Sequence, residues 1–312
     1  MKTISVVVPV KNDLSGARLL LSCLRKQSLP CEIVFVDNGS TDGTTEFLES
    51  QGVRVLRHPE LRVGAMRNRG VAVTQGQYIA FADSDHEVDS NWLEEGMRVL
   101  DSEPSVVACG SHYLAPENGT WVQRTWAIHR LRGAECKDVD WLASGNLFVR
   151  RDAFLGVGGF NETLVAAEDV DLCHRLRDSG GTIRHDPAIA SIHHGEARTL
   201  RHFIKKEWWR GSSGIRAWVS QGFPVRELPS LVWPMWHAVF CFLTVFFLVF
   251  VVIKPSGLLV QALLGCIVLW TTPAMLLAMK TCVSENRIAD FYRLAVLYFV
   301  YGMTRAAALI KP

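Results

Sequence analysis

No C-x-x-C pair and no regular spacing links the eight cysteines of this 312-residue chain. That absence argues against a disulfide scaffold or a cysteine-built zinc site, and it suits a reducing compartment. Excess charge is missing too. Lys and Arg number 33 against 31 Asp and Glu, for a formal net charge of +2, so nucleic acid is not an expected partner. Neither G-x-G-x-x-G nor Walker spacing occurs, which speaks against an ordinary dinucleotide site or P-loop. The first apolar run stops at Pro9 and Lys11, too short for a signal-peptide core and without a cleavage site after it. The soluble part is therefore expected in the cytosol. Long apolar runs are lacking through residue 225, whereas 231–279 is dominated by them.

What the chain does have is acids placed where strands end. Tyr78-Ile79-Ala80-Phe81-Ala82 reads as a buried parallel strand that runs into Asp83-Ser84-Asp85. In open α/β sheets, ligands bind beyond the carboxyl ends of strands. Two carboxylates there, two positions apart, can share a divalent cation and an anionic ligand, and their hard oxygens suit Mg²⁺ or Mn²⁺.

Upstream, the β-branched run Ile4–Val10, with Pro9 closing it, predicts a strand. Ala17, Leu20, Leu21 and Leu24 carry helical periodicity through 15–27, and 33–36 is a second buried strand. This order implies a right-handed parallel unit, with Asp37 at the strand end facing the same crevice as Asp83. Asn38-Gly39-Ser40-Thr41-Asp42 forms a turn in which Thr41 or Asp42 caps a helix over 44–50. A third strand is expected at 53–56. Arg62-Val63-Gly64-Ala65-Met66-Arg67-Asn68-Arg69-Gly70 then opens a helix whose amides, with Arg67, would favour a phosphate.

Four motifs in this order, Val6-Val7-Val8-Pro9-Val10, the Asp37–Thr44 turn, Gly64–Gly70 and Ala82-Asp83-Ser84-Asp85, resemble the nucleotide-sugar half of family 2 glycosyltransferases. The resemblance covers residues 2 to about 200. It implies an α/β GT-A fold with a mostly parallel central sheet, a divalent metal, Mn²⁺ or Mg²⁺, and inversion at the anomeric carbon. By the family pattern, Asp37 and Asp83 hold the base and ribose of a nucleotide-diphosphate sugar. Pro9, Asn38, Arg62, Gly64, Arg67, Asn68 and Ser84 fall in the same donor motifs, and Asp85 takes the metal.

Further on, 91–101 reads as an amphipathic helix and Val106–Gly110 as a strand, while 111–137 reads as irregular loops around an acceptor pocket, with Trp121 and Trp126. Residues 143–151 resemble the family's strand on the acceptor side. Glu168-Asp169 opens a helix after a glycine turn, and the pair resembles the family's catalytic-base motif. Asp169 is assigned as base, with Glu168 as the alternative; a helix N-terminus is expected to depress the base's pKa. Residues 188–192 read as a final strand ending at His193-His194. One of these completes the metal shell by resemblance, His193 with His194 as an open alternative. A departure is the missing Q-x-x-R-W of processive synthases, where Lys205-Lys206-Glu207-Trp208-Trp209-Arg210 stands; this favours single transfer.

Basic and indole residues over 201–230, from Arg201 to Trp218, read as a juxtamembrane segment on the cytoplasmic side. Residues 231–253 and 258–279 are each long enough to span a bilayer, and Lys254-Pro255-Ser256-Gly257 breaks them apart. Residues 291–310 carry Arg293 and Arg305 and read as an interfacial helix, a third span with snorkelling arginines being the alternative. The combined expectation is an inner-membrane, multi-pass glycosyltransferase with a cytoplasmic catalytic domain (1–200). Its acceptor would be lipid-linked or a polysaccharide precursor, and membrane lipids would be partners. The rivals are a polysaccharide synthase subunit and a non-catalytic nucleotide-sugar-binding scaffold; a nucleotidyltransferase would need a glycine-rich loop where Pro9-Val10-Lys11 stands.

Overall fold

A computed structural model describes residues 3–131, 135–211 and 228–309. Every residue of β1 (Ile4–Val10) is buried, as a central parallel strand flanked on both faces must be. It pairs in parallel with β2 (Glu32–Asp37) and with β4 (Tyr78–Ala82), and β2 pairs with β3 (Arg54–Arg57). Between them lie α1 (Leu14–Leu24), α2 (Thr44–Ser50) and α3 (Val63–Ala72), the right-handed crossovers that parallel strands demand. The whole sheet runs β3-β2-β1-β4-β9-β6-β10-β8. In it, β9 (Asn146–Arg150) is antiparallel to both β4 and β6 (Val106–Gly110). Beyond them, β10 (Thr182–His185) is parallel to β6, and β8 (Lys137–Asp138) closes the edge.

Alternation along the strands splits the core in two. Val6, Val8, Phe35 and Ala80 pack with α1 and with α4 (Trp92–Ser102). Val7, Val34, Val36, Ile79 and Phe81 face α3, α6 (Arg151–Gly156) and α7 (Glu168–Asp178). Asn146, fully buried, ties the first layer together: it accepts from the Trp92 indole at 2.9 Å and donates to the Ile189 carbonyl at 2.7 Å. A second small sheet, β5 (His86–Val88), β11 (Ser191–His193) and β7 (Tyr113–Leu114), sits just past the acidic turn.

Contacts divide the chain into two units, Met1–Glu117 with Arg130–Glu196, and Asn118–His129 with Ala197–Pro312. In the second, most of α5 (Trp121–Arg130) joins α8 (Leu200–Gly211), α9 (Leu228–Ile253), α10 (Gly257–Ser284) and α11 (Phe291–Leu309). Val232–Ile253 and Gly257–Ser284 are long and apolar enough to cross a membrane, and only 6% and 11% of their most apolar windows are buried. Among the described residues α11 is not in that class. Its Arg305 donates to Glu207 of α8 at 2.9 Å, and Arg210 reaches the same carboxylate at 2.7 Å, so Glu207 is buried with its charge matched.

Two expectations are corrected, and one strand went unread. The stretch 111–137 is not irregular throughout, because α5 forms within it and buries Trp126 against Phe203 and Tyr298. The strand read over 188–192 is instead a 3₁₀ turn, Pro187–Ile189, followed by the short Ser191–His193 strand. Strand β10 carries too little apolar pattern (Thr182-Ile183-Arg184-His185) to be noticed in sequence. Residues 212–227, with Trp218, lie outside the described residues.

Candidate active site

Four acids converge where β4 ends. The chain turns at Asp83-Ser84-Asp85, with the His86 amide donating to the Asp83 carbonyl at 3.2 Å, and departs as β5. Backbone crowds it from the other side: a Cβ on Gly145 would lie 2.6 Å from Asp83 Oδ2. Glycine there is what lets β9 approach the acid.

Arg67, from α3, lies beneath the turn with its side chain 3% exposed. Nη2 donates to Asp83 Oδ1 at 2.7 Å and Nη1 to Glu168 Oε1 at 3.0 Å, while Phe160 lies 5.5 Å from its Cζ. Burial works against its charge, but Asp83, Glu168 and Asp169 outweigh it and hold the guanidinium pKa above its ordinary value. The sequence suggested a phosphate contact for Arg67, and in the structure both terminal nitrogens bond carboxylates.

Asp169 follows Glu168 in the first turn of α7, entered through Ala167 in the left-handed region at φ 63°. For alanine that conformation costs roughly 1 kcal/mol, so the surrounding contacts must hold it. The helix terminus was expected to lower the Asp169 pKa. It is pushed up to about 6, because burial and the adjacent Glu168 charge outweigh the Val170 and Ser144 amides and Arg67. The direction is corrected, while the group stays mostly ionised at neutral pH.

A second cluster sits beyond the turn. Asp85 Oδ2 is 3.1 Å from His193 Nε2, and Asp85 Oδ1 is 4.0 Å from His86 Nε2. One donor atom from each of the three lies within 4.8 Å of the others. His86 is fully buried; Nδ1 stands 2.9 Å from Ser191 Oγ, and Nε2 has no partner. Desolvation, reinforced by His193, lowers its pKa to about 4 and keeps the ring neutral. In the tautomer that donates Nδ1–H to Ser191, Nε2 presents a bare lone pair. A Cβ on Gly195 would fall 1.7 Å from Asp85 Oδ2 and 3.1 Å from His193 Nε2, so the backbone there leaves room for the donors alone. An oxygen and two imidazole nitrogens suit Mn²⁺ better than Mg²⁺, which prefers oxygen ligands. His194 turns to Glu87 at 2.9 Å and is absent from the cluster.

The other donor-motif residues hold loops. Asp37, nearly buried, accepts from the Gly39 and Ser40 amides and the Ser40 hydroxyl. Asn38 donates to the His58 and Leu61 carbonyls and accepts from Lys11. Pro9 pairs with Val36 just past the last β1–β4 pair, Val7 with Phe81, where the ladder opens. Arg62 precedes α3 and donates to the Thr163 carbonyl; Gly64 packs near Phe160 and Glu168. Asn68 exchanges two 2.9 Å bonds with the Phe160 backbone, and Ser84 donates to Asp13 at 2.7 Å. Sequence reasoning missed His86, although it directly follows the D-x-D; it also missed Tyr113, whose ring edge packs on His86 and His193.

This mostly parallel sheet with a D-x-D turn past its fourth strand defines a GT-A glycosyltransferase fold. Residues 5–156 match the model of glycosyl transferase family 2, and the chain carries a domain of that family. Over 225 residues it is 31% identical to a pre-mycofactocin glycosyltransferase of Mycobacterium tuberculosis, covering 68% of this chain and 47% of that one. The chain thus spans about half the length of that relative. It is also 29% identical over 234 residues to an N-acetylglucosaminyl-diphospho-decaprenol L-rhamnosyltransferase of the same species, covering 59% of this chain and 73% of that one. Among solved structures, the mannosyltransferase PcManGT of Pyrobaculum calidifontis, in complex with GDP-Man and Mn²⁺, superposes with a TM-score of 0.59 at 16% identity. That match covers 99% of this chain and 88% of the other, and it is a likeness of fold.

Proposed function

We propose that this chain is a membrane-anchored, metal-dependent, inverting glycosyltransferase. In this reading it moves a sugar from a nucleoside-diphosphate donor to a hydroxyl of a lipid-linked or polysaccharide precursor. The observation that carries it is the adjacency of two differently built acidic clusters, Asp83–Arg67–Glu168 and Asp85–His193–His86, at one strand end.

Asp85, His193 and His86 would hold Mn²⁺, which when bound neutralises charge developing on the diphosphate leaving group. Asp83, oriented by Arg67 and with its side chain 39% exposed, supplies a carboxylate for ribose hydroxyls, and Asp37 marks the base end. Asp169 is the base: it takes the acceptor hydroxyl's proton as that oxygen bonds to the anomeric carbon and the bond to the diphosphate breaks on the opposite face. A pKa near 6 suits this role, since the group is ionised at pH 7 yet more basic than an ordinary aspartate. Glu168, ion-paired with Arg67, is better suited to holding the site together.

The exposed, apolar surfaces of Val232–Ile253 and Gly257–Ser284 support anchoring of the 231–312 region; in this reading residues 1–200 form the cytoplasmic catalytic domain at the inner membrane. The decaprenol-linked acceptor named for one relative supports a polyprenyl-linked acceptor here. Absence of Q-x-x-R-W favours transfer of one sugar. The test is detergent-purified protein with Mn²⁺ and a panel of nucleotide sugars, scored for nucleotide release with and without membrane lipid extract. Metal-dependent release from one donor, lost in Asp85→Ala and Asp169→Asn, supports the reading; donor binding without turnover overturns it in favour of a binding scaffold.

A further inference from the structure

Behind His193 stands a carboxylate that nothing in the donor motifs requires. His193 Nδ1, buried and in no hydrogen bond, faces Glu196 Oε1 at 3.4 Å, on the side of the ring opposite the Nε2 that meets Asp85 at 3.1 Å. Both side chains are only 9% exposed. A buried carboxylate needs a cationic partner, and Arg130 supplies it: Nη2 lies 3.0 Å from the same Oε1. The Arg130 guanidinium also lies 5.5 Å from the centre of the Tyr113 ring, and that ring packs on His193. A line of contacts thus runs from Arg130 through Glu196 and His193 to Asp85, with Tyr113 beside it.

We propose that Glu196 is a positioning residue for the metal site, anchored by Arg130. Its carboxylate is placed to accept from the Nδ1–H of His193, which keeps the proton on Nδ1, leaves the Nε2 lone pair for a metal beside Asp85 and holds the ring plane. A histidine able to flip or to carry its proton on Nε2 would be a poor ligand. Carboxylates that orient ligating histidines in this way typically change metal affinity by about 10–100-fold when removed. The inference rests on the reading of Asp85 and His193 as metal ligands.

The experiment is Mn²⁺ titration of the full chain in detergent by calorimetry, with the visible spectrum of the Co²⁺-loaded protein as second readout. Glu196→Gln is expected to weaken Mn²⁺ binding about 10–100-fold and to shift the Co²⁺ bands, with Glu196→Asp recovering part of both. Arg130→Gln, which leaves the carboxylate in place, is expected to weaken binding by a smaller factor. If Glu196→Gln does not fold, the Arg130→Gln titration decides. Wild-type affinity and an unshifted spectrum in the folded variants overturn the role of Glu196. Failure of the wild-type chain itself to bind Mn²⁺ or Co²⁺ overturns instead the metal reading beneath it.

Discussion

The two acidic clusters at the end of β4 lie side by side and treat charge in opposite ways. Around Arg67, one buried guanidinium gives both terminal nitrogens to Asp83 and Glu168, its Nε–H alone lacking a hydrogen-bond partner, while Asp83 keeps an exposed face. Around Asp85, a nitrogen is left over, since His86 Nε2 is buried with no partner. A buried lone pair without a hydrogen-bond donor costs free energy, and beside Asp85 and His193 it is a group that a cation would complete. In the proposed reading the first cluster is a frame that fixes acids in place, and the second is a receptacle for the metal. Asp169 falls between these types, adjacent to the frame but with its ionised form disfavoured.

The comparison breaks most sharply at Asp169. Asp169→Asn is expected to lower turnover about 10²–10⁴-fold with donor binding retained, measured as nucleotide release against donor affinity. In the wild-type chain, activity should fall about tenfold per pH unit below pH 6 as this carboxylate protonates. A variant that turns over normally would return the base assignment to Glu168.

Removing the frame is expected to cost stability. Arg67→Ala leaves Asp83 and Glu168 without their cation and should destabilise the fold by about 3–5 kcal/mol, read by thermal unfolding. Little change there would mean that water already screens the pair.

Asp169→Asn should also change stability, in the opposite direction. Its folded pKa of about 6 lies above the ordinary aspartate value, so ionisation opposes folding. That cost is full above pH 6 and fades as pH falls through 6 toward 4. The variant should thus be more stable than wild type by about 1–3 kcal/mol at pH 8 and indistinguishable at pH 4. Equal stability at both pH values would place the carboxylate in a wetter setting.

For the receptacle, the histidine pair gives the finest contrast. His193→Ala should weaken Mn²⁺ binding at least about tenfold, and His194→Ala should leave it unchanged, because His194 reaches Glu87 rather than Asp85. A loss with His194→Ala would break the division drawn between the two rings.

What the sequence determined by itself was local in origin. The β-branched run Ile4–Val10, the apolar run Tyr78–Ala82 and the acids following β2 and β4 are legible because strand burial leaves its mark on consecutive residues. The first long apolar helix ends at Ile253, and Ser256, whose hydroxyl accepts from the Leu259 amide at 3.3 Å, caps the next, as the break at 254–257 suggested. Only the tertiary structure decided the partners. Arg67 meets Glu168 across 101 positions and Asp85 meets His193 across 108, and no periodicity encodes such pairings. The same holds for His86 and Glu196, unremarkable in the chain until folding removes water from around them. The pKa of Asp169 makes the point in one residue: its place at a helix start predicted depression, and the burial and neighbouring charge that folding imposed raised it.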